Sequence, residues 1–247
     1  MYFNTLAIVI KKTKLSDTDI ILTLFTKKAG KVTVISKGAR NPKSKLSSAS
    51  HPFIYGDFML SMGSKWNRIN SVEIEESFYK LREDLVRLAY ASYIVELTSH
   101  VILENSPNIR LFNLLYEALS VLNNKNTDFE LLKISYELKM MSIIGYKMNI
   151  NSCVNCGKTD NIKWYISPIE GGLICEDCKR NFNELIYSGK NAHKVINFIL
   201  TNDISTVLNT SINKRYIVLI GKILSLFIFH HLGHKKFKSL DFLNTIK

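Results

Sequence analysis

No stretch of the 247 residues reads as membrane-spanning. The longest apolar run, Tyr216 to Phe229, has 14 residues and includes Gly221 and Lys222, whereas a span needs about 20 clean residues. The first residues, Met1 to Thr5, place no basic segment ahead of the apolar run, and no small-residue cleavage site follows it, so no signal peptide is expected. The chain is therefore expected in the cytosol, with its cysteines reduced or metal-bound rather than paired. No G-x-x-x-x-G-K-[ST] occurs, which leaves ATP hydrolysis without support. Acids are scarce early on. Before Glu73 there are only Asp17, Asp19 and Asp57, too few and too scattered for a two-metal nuclease site. There is no internal repeat and no low-complexity tract. With 46% apolar and 22% charged residues, the chain is neither disordered nor collagen-like.

What is present is positive charge. The formal net charge is +12, which points to an anionic partner, nucleic acid or an acidic membrane face. The excess is local. Residues 1–70 hold twelve basic side chains against three acidic ones. Lys27, Lys28, Lys31, Lys37, Arg40, Lys43, Lys45, Lys65 and Arg68 follow one another with only Asp57 among them. Lysine outnumbers arginine 26 to 7 over the chain. Lysine acts as a point charge rather than a bidentate reader, so backbone contact without sequence readout is expected. A solvated basic face is the plainer reading, but the confinement of the charge to one structural segment favours nucleic acid.

That segment reads as β-structure. Leu6 to Ile10 is a short apolar run. Ile20 to Thr26 and Lys31 to Ser36 are rich in β-branched residues and flank Lys27-Lys28-Ala29-Gly30, a hairpin loop with glycine at its end. Lys37 to Lys45 contains Gly38, Asn41 and Pro42 and reads as a loop that can wrap a phosphate backbone. Phe53 to Met62 and Trp66 to Ile74 make a second hairpin around Gly63-Ser64-Lys65. Five short strands in about 75 residues fit a small closed barrel of the OB type, with an SH3-like barrel giving nearly the same pattern. Trp66 and Arg68 alternate onto one face and can stack on a base. Phe53, Tyr55 and Phe58 are more simply read as core.

From Phe78 the period turns helical, with Leu81, Leu85, Leu88, Ala89, Ser92 and Val95 on one face. Ser106-Pro107 is expected to cap a helix from Ile109 to Leu122, and Asp128 one from Phe129 to Ile144. Further helices are expected at Asn191–Leu200 and Lys214–Leu232. The second division thus covers residues 78–247, after a barrel at 1–77, with an insert at about 150–182. His230, His231 and His234 close the last helix. A metal pair at His230 and His234 is conceivable, but a favourable helix C-terminus is the simpler reading.

All four cysteines fall in that insert as Cys153-x2-Cys156, 18 residues, then Cys175-x2-Cys178. Two such knuckles aim four thiolates at one point, the spacing of a zinc ribbon. A site with four thiolates and no open position is structural, and one Zn2+ would supply folding energy to a segment with little core. A dithiol redox pair would not need a matching second pair. Lys158, Lys163, Lys179 and Arg180 in the insert read as a solvated face.

Taken together, these residues resemble the RecO family of bacterial recombination mediators. The resemblance is carried by Asp19 to Thr26 (DIILTLFT), Gly30-Lys31, Lys37-Gly38-Ala39-Arg40 with Lys43-Ser44, the four-cysteine insert, and the ending His231-Leu-Gly233-x4-Lys238-Ser239-x2-Phe242-Leu243. It runs over essentially the whole chain. It implies a DNA-binding OB-fold supported by a helical domain, and a role in repair of gaps and breaks without nucleotide hydrolysis. It further implies binding of single- and double-stranded DNA, annealing of complementary strands, and, with RecR, loading of RecA onto strands coated by single-stranded DNA-binding protein, whose acidic tail the family contacts. The residues leave two other classes: a nucleic-acid-processing enzyme, which would need an open metal position or a carboxylate cluster, and a zinc-ribbon protein of transcription or the ribosome, which would prefer one duplex sequence or folded RNA.

Overall fold

A computed structural model describes residues 2–63, 66–124, 128–233 and 236–246. In chain order it runs β1 (Tyr2–Lys14), β2 (Ile20–Thr26), β3 (Gly30–Ser36), α1 (Lys45–Ala49), β4 (Tyr55–Ser61), β5 (Asn67–Glu76), α2 (Lys80–Glu83), α3 (Leu85–Val101), α4 (Ile109–Asn124) and α5 (Phe129–Ile143). The insert supplies β6 (Asn149–Cys153), β7 (Trp164–Ser167), β8 (Gly172–Cys175) and β9 (Ile186–Gly189), followed by α6 (Ala192–Thr201), α7 (Ile204–Leu208), α8 (Lys214–Leu232) and α9 (Lys238–Thr245). The architecture is mixed α+β in two compact units. One comprises Met1–Lys125 and Lys238–Lys247, the other Asn126–Phe237.

In the first unit each strand alternates as its sequence does. Leu22, Leu24, Val32 and Val34 point into the core with Ala7, Val9, Phe58 and Leu60. Ile21, Thr23 and Thr33 sit half-buried on the other side. The five strands follow the order β1-β2-β3-β5-β4, and β4 pairs back onto β1. Four of the ladders are antiparallel. The ring is completed by a parallel seam of two pairs, Val34 with Asn67 and Ile35 with Arg68. β1 is much longer than its apolar run, because Lys11 to Lys14 continue to pair with β2 beyond a register shift after Val9.

Helices of the same unit cover one end of the sheet. The Phe25 and Phe112 rings meet edge-on at 5.4 Å, and Tyr55 and Tyr116 at 4.6 Å. The expected single helix from Phe78 is broken at Asp84, which is extended (φ −112°, ψ 120°) and whose carboxylate accepts from the Arg87 N–H. Leu85 is consequently 56% exposed rather than on the buried face. The cap of α4 is Asn108, whose Oδ1 accepts from the Leu111 N–H at 3.0 Å, rather than Ser106.

In the second unit Asp128 caps α5, accepting from the Leu131 N–H. The insert forms a four-stranded sheet in the order β6-β8-β7-β9. Helix α8 has the length and composition to cross a membrane. Its Ile217, Ile220, Ile223, Leu224, Phe227 and Ile228 are nevertheless buried within the unit, with Lys222 in its middle, which makes it a core helix.

Candidate nucleic-acid interface and metal centre

The loop from Lys37 to Lys45 is a succession of locked turns rather than a loose strap. Gly38 takes the left-handed conformation (φ +64°), and its N–H donates to Asp19 Oδ1 at 2.9 Å. The Thr18 hydroxyl donates to the same oxygen at 3.0 Å. These bonds, the Gly38 amide foremost, hold the Asp19 carboxyl below its ordinary pKa. The Arg40 N–H donates to the Thr18 carbonyl at 3.0 Å, and its guanidinium donates to the Ser16 carbonyl at 3.0 Å. Ala39 is buried between them. Asn41 and Ser44 N–H groups then bond back three residues each, and Ser44 caps α1. The loop is thus clamped to the β1–β2 turn, and it presents Lys37, Arg40, Lys43 and Lys45 to solvent.

Antiparallel pairing brings more cations to the same end. Lys12 pairs with Leu22, and Lys14 pairs with Ile20, which pairs with Ser36 at the close of β3. Exposed Lys11, Lys12 and Lys14 therefore join the loop, with Lys14 and Arg40 both pairing with exposed Asp17, at 3.1 and 3.5 Å. They were absent from the sequence-derived candidates. The signal was the lysine-threonine-lysine alternation continuing past Ile10, which marks strand rather than loop. Arg68, opposite Ile35 through the parallel seam, is exposed at this end too, and Trp66 just before it is 43% exposed. Phe53 and Phe58 are buried, and Tyr55 stacks on the helices. Lys65 lies outside the described residues.

The remaining candidates stand at the opposite end of the β2–β3 hairpin, about 20 Å away over seven residues of strand. There Lys28 Nζ donates to the Asn4 carbonyl at 2.7 Å, and Lys31 Nζ to the Ser99 carbonyl in the last turn of α3 at 2.7 Å. Lys27 is half-buried beside them. The structure thus separates the basic segment into an exposed cluster, flanked by the half-buried Ile21–Thr23–Thr33 face, and a group set against the helices.

The cysteines come together. The Sγ atoms of Cys153, Cys156, Cys175 and Cys178 lie within 4.8 Å of one another, with Cys156 and Cys175 at 3.7 Å. A tetrahedral zinc with Zn–S of about 2.3 Å has an S–S edge of roughly 3.8 Å. The first knuckle turns at Gly157 (φ +73°), whose N–H donates to the Cys153 carbonyl at 2.9 Å. Burial raises the Cys153 thiol, but the amides of Cys156, Cys175 and Asn155 outweigh it and bring the pKa to about 6. Cys178 accepts from Asn155 Nδ2 at 3.2 Å, which lowers its pKa, yet the neighbouring sulfurs push it up to about 12. Four sulfurs this close cannot all ionise unless a cation neutralises them. The donor set therefore fits a thiophilic metal ion. Among the described residues this is the one group of three or more metal-type side chains.

His230 pairs with Glu184 at 3.1 Å, and His231 Nε2 lies 3.2 Å from the Pro168 carbonyl, so both are engaged in structure. His234 lies outside the described residues. In the insert Lys158 pairs with Asp177 at 3.0 Å and Lys179 with Glu176.

Comparison with known proteins bears on both halves. Residues 1–78 match the family model for the Recombination protein O N terminal, and residues 82–241 that for the Recombination protein O C terminal. The chain belongs to the RecO family. It is 37% identical to the DNA repair protein RecO of Alkaliphilus metalliredigens over the full length of both chains. It is 31% identical to that of Acetivibrio thermocellus, covering 99% of this chain and 97% of the relative, and 32% to that of a Thermoanaerobacter species, covering 99% and 98%. As a RecO-family chain, it is a DNA repair protein.

Proposed function

We propose that this chain is a non-enzymatic recombination mediator that holds DNA on the open end of its five-stranded sheet. The observation that carries the reading is the exposed cluster of Lys11, Lys12, Lys14, Lys37, Arg40, Lys43, Lys45 and Arg68, which strand pairing and the Asp19 clamp assemble at one end of the sheet. The strand order, the α1 helix between β3 and β4 and the short seam fit an OB barrel at residues 1–77. The β2–β3 face and the β1–β2 and β4–β5 loops of that fold bind oligonucleotides. Residues 78–247 would support it. The cysteine cluster would hold one structural Zn2+, leaving no open coordination position for chemistry.

The mechanism is charge neutralisation. Complementary strands repel each other through their phosphates. A lysine-rich surface that replaces condensed counterions lowers that repulsion without reading sequence, so single and double strands both bind and bound strands can search for register. Family membership supports the partners: RecR, the acidic tail of single-stranded DNA-binding protein, and RecA indirectly, in the bacterial cytoplasm without a membrane.

The test is annealing of complementary fluorescent oligonucleotides coated with single-stranded DNA-binding protein, without ATP. The protein should accelerate pairing. With four to six phosphate contacts, log K should fall against log salt with a slope of about −3 to −4. Replacing Lys37, Arg40 and Lys43 together by Glu should abolish binding with an unchanged circular dichroism spectrum. Unchanged affinity in that variant would refute the assignment of the loop.

A further inference from the structure

The second unit has a cleft of about 600 Å³ lined by Tyr187, Gly189, Lys190, Asn191, Arg215 and Tyr216, together with Ser188 and Leu219. That volume lies within the usual range for ligand sites. Its lining contains two cations and no carboxylate. Neither Lys190 nor Arg215 takes part in an ion pair among the described residues, whereas Lys158 and Lys179 of the neighbouring insert are both neutralised by acids. Arg215 is held in place by its own neighbour: Nη2 donates to the Tyr216 hydroxyl at 3.0 Å, and the guanidinium lies 4.9 Å from the Tyr216 ring centre. Arg215 is exposed, and this bond uses one of its five N–H donors. Tyr187 is 55% exposed, and its ring meets that of Tyr165 at a tilt of 58°, centre to centre 5.5 Å. An aromatic ring that is held by a neighbour and more than half exposed offers a surface on which a base can stack.

We propose that this cleft is a second contact for single-stranded DNA, with Lys190 and Arg215 on the phosphates and a base stacked on Tyr187. The proposal rests on the reading that the chain holds single-stranded DNA. Cations alone would serve any polyanion. The exposed ring favours a ligand with a flat face beside each negative charge, which a nucleic-acid strand offers at every nucleotide and a peptide only where it carries an aromatic side chain. Each phosphate contact on a single strand adds about 0.7 to the salt slope. Two contacts add about 1.4, which corresponds to roughly 25-fold in affinity at 0.1 M salt.

The experiment uses the full chain with an oligothymidylate carrying 5-bromodeoxyuridine. Irradiation followed by peptide mass spectrometry should place crosslinks on Tyr187 or Tyr216. The Lys190→Gln/Arg215→Gln variant should bind about 25-fold more weakly at 0.1 M salt, with a slope shallower by about 1.4. Lys190→Glu/Arg215→Glu should weaken binding further. Crosslinks confined to residues 1–77, with an unchanged slope in the Gln variant, overturn this proposal and leave the barrel interface standing. Loss of hexaglutamate binding in the Gln variant with DNA affinity intact also overturns it, in favour of a peptide site. A wild-type chain that binds no oligonucleotide overturns the parent reading as well.

Discussion

Asp19 is an acid among exposed lysines, and its position explains why it is tolerated there. Its carboxylate accepts from Gly38 and Thr18, and so fixes the turn that aims Lys37 and Arg40. A purely electrostatic view predicts that removing this negative charge strengthens DNA binding. The clamp predicts the reverse: Asp19→Ala should weaken binding several-fold, as read by fluorescence anisotropy, because the loop loses its anchor. The pH dependence follows from the sign of the shift. The folded carboxyl lies below its ordinary value, with the Gly38 amide as the largest cause. Its stabilisation is therefore fully present above the unfolded carboxylate range and is lost as pH falls through the folded value. The clamp should hold at neutral pH and weaken only under acid. Gly30 and Gly38 share nearly the same φ, +65° and +64°, but differ in surroundings. A Cβ on Gly38 meets nothing within 4 Å, whereas on Gly30 it would lie 2.3 Å from the Ser106 carbonyl oxygen. Gly38→Ala should cost only the left-handed penalty of about 1–2 kcal/mol. Gly30→Ala should cost clearly more and lower the melting temperature further. The sequence pattern Lys37-Gly38-Ala39-Arg40 was legible as a loop. Its rigidity was not, because the partners that lock it, Ser16 to Asp19, lie some twenty positions earlier in the chain.

At the scale of elements, the insert was the most legible part. Four cysteines at fixed spacing state their geometry directly, and the thiols do meet within 4.8 Å. Its sheet has short strands, β7 and β8 of four residues each, so cross-linking by a metal should supply much of its stability. Chelation at neutral pH should release about one zinc per chain, expose four thiols to Ellman's reagent and lower the melting temperature. Cys153→Ser should reproduce the loss. Retention of the native melting temperature after complete metal removal would contradict this. Strand ends were less legible. Only Leu6 to Ile10 stands out as an apolar run in the sequence because apolarity marks burial, while Lys11 to Lys14 are held by backbone pairing to β2 and need no buried side chains. The break at Asp84 escaped for a similar reason: the apolar period passes smoothly through Leu81, Leu85 and Leu88, and the interruption is a backbone event made by a capping carboxylate.

On the scale of the molecule, charge and stability divide along one hairpin. The basic segment reads in sequence as a single field, because composition counts side chains and not where strand pairing carries them. In the fold, Lys31 at one end satisfies a carbonyl in the last turn of α3, a place where helix carbonyls lack intrahelical partners. Lys37, at the other end of β3, is exposed. Single neutral substitutions should therefore have opposite signatures. Lys31→Gln removes a charge-assisted hydrogen bond and should cost about 1–2 kcal/mol of stability. It should change the salt slope of DNA binding little. Lys37→Gln should leave stability within about 0.5 kcal/mol and make the slope shallower by about 0.7, the contribution of one phosphate contact on a single strand. Chemical denaturation and anisotropy titrations over a salt series on the same two variants measure both quantities. If both variants lowered the slope equally, the whole hairpin would track the DNA backbone, and the interface would extend across the end that the helices cover. If neither did, the open end would not be where phosphates bind.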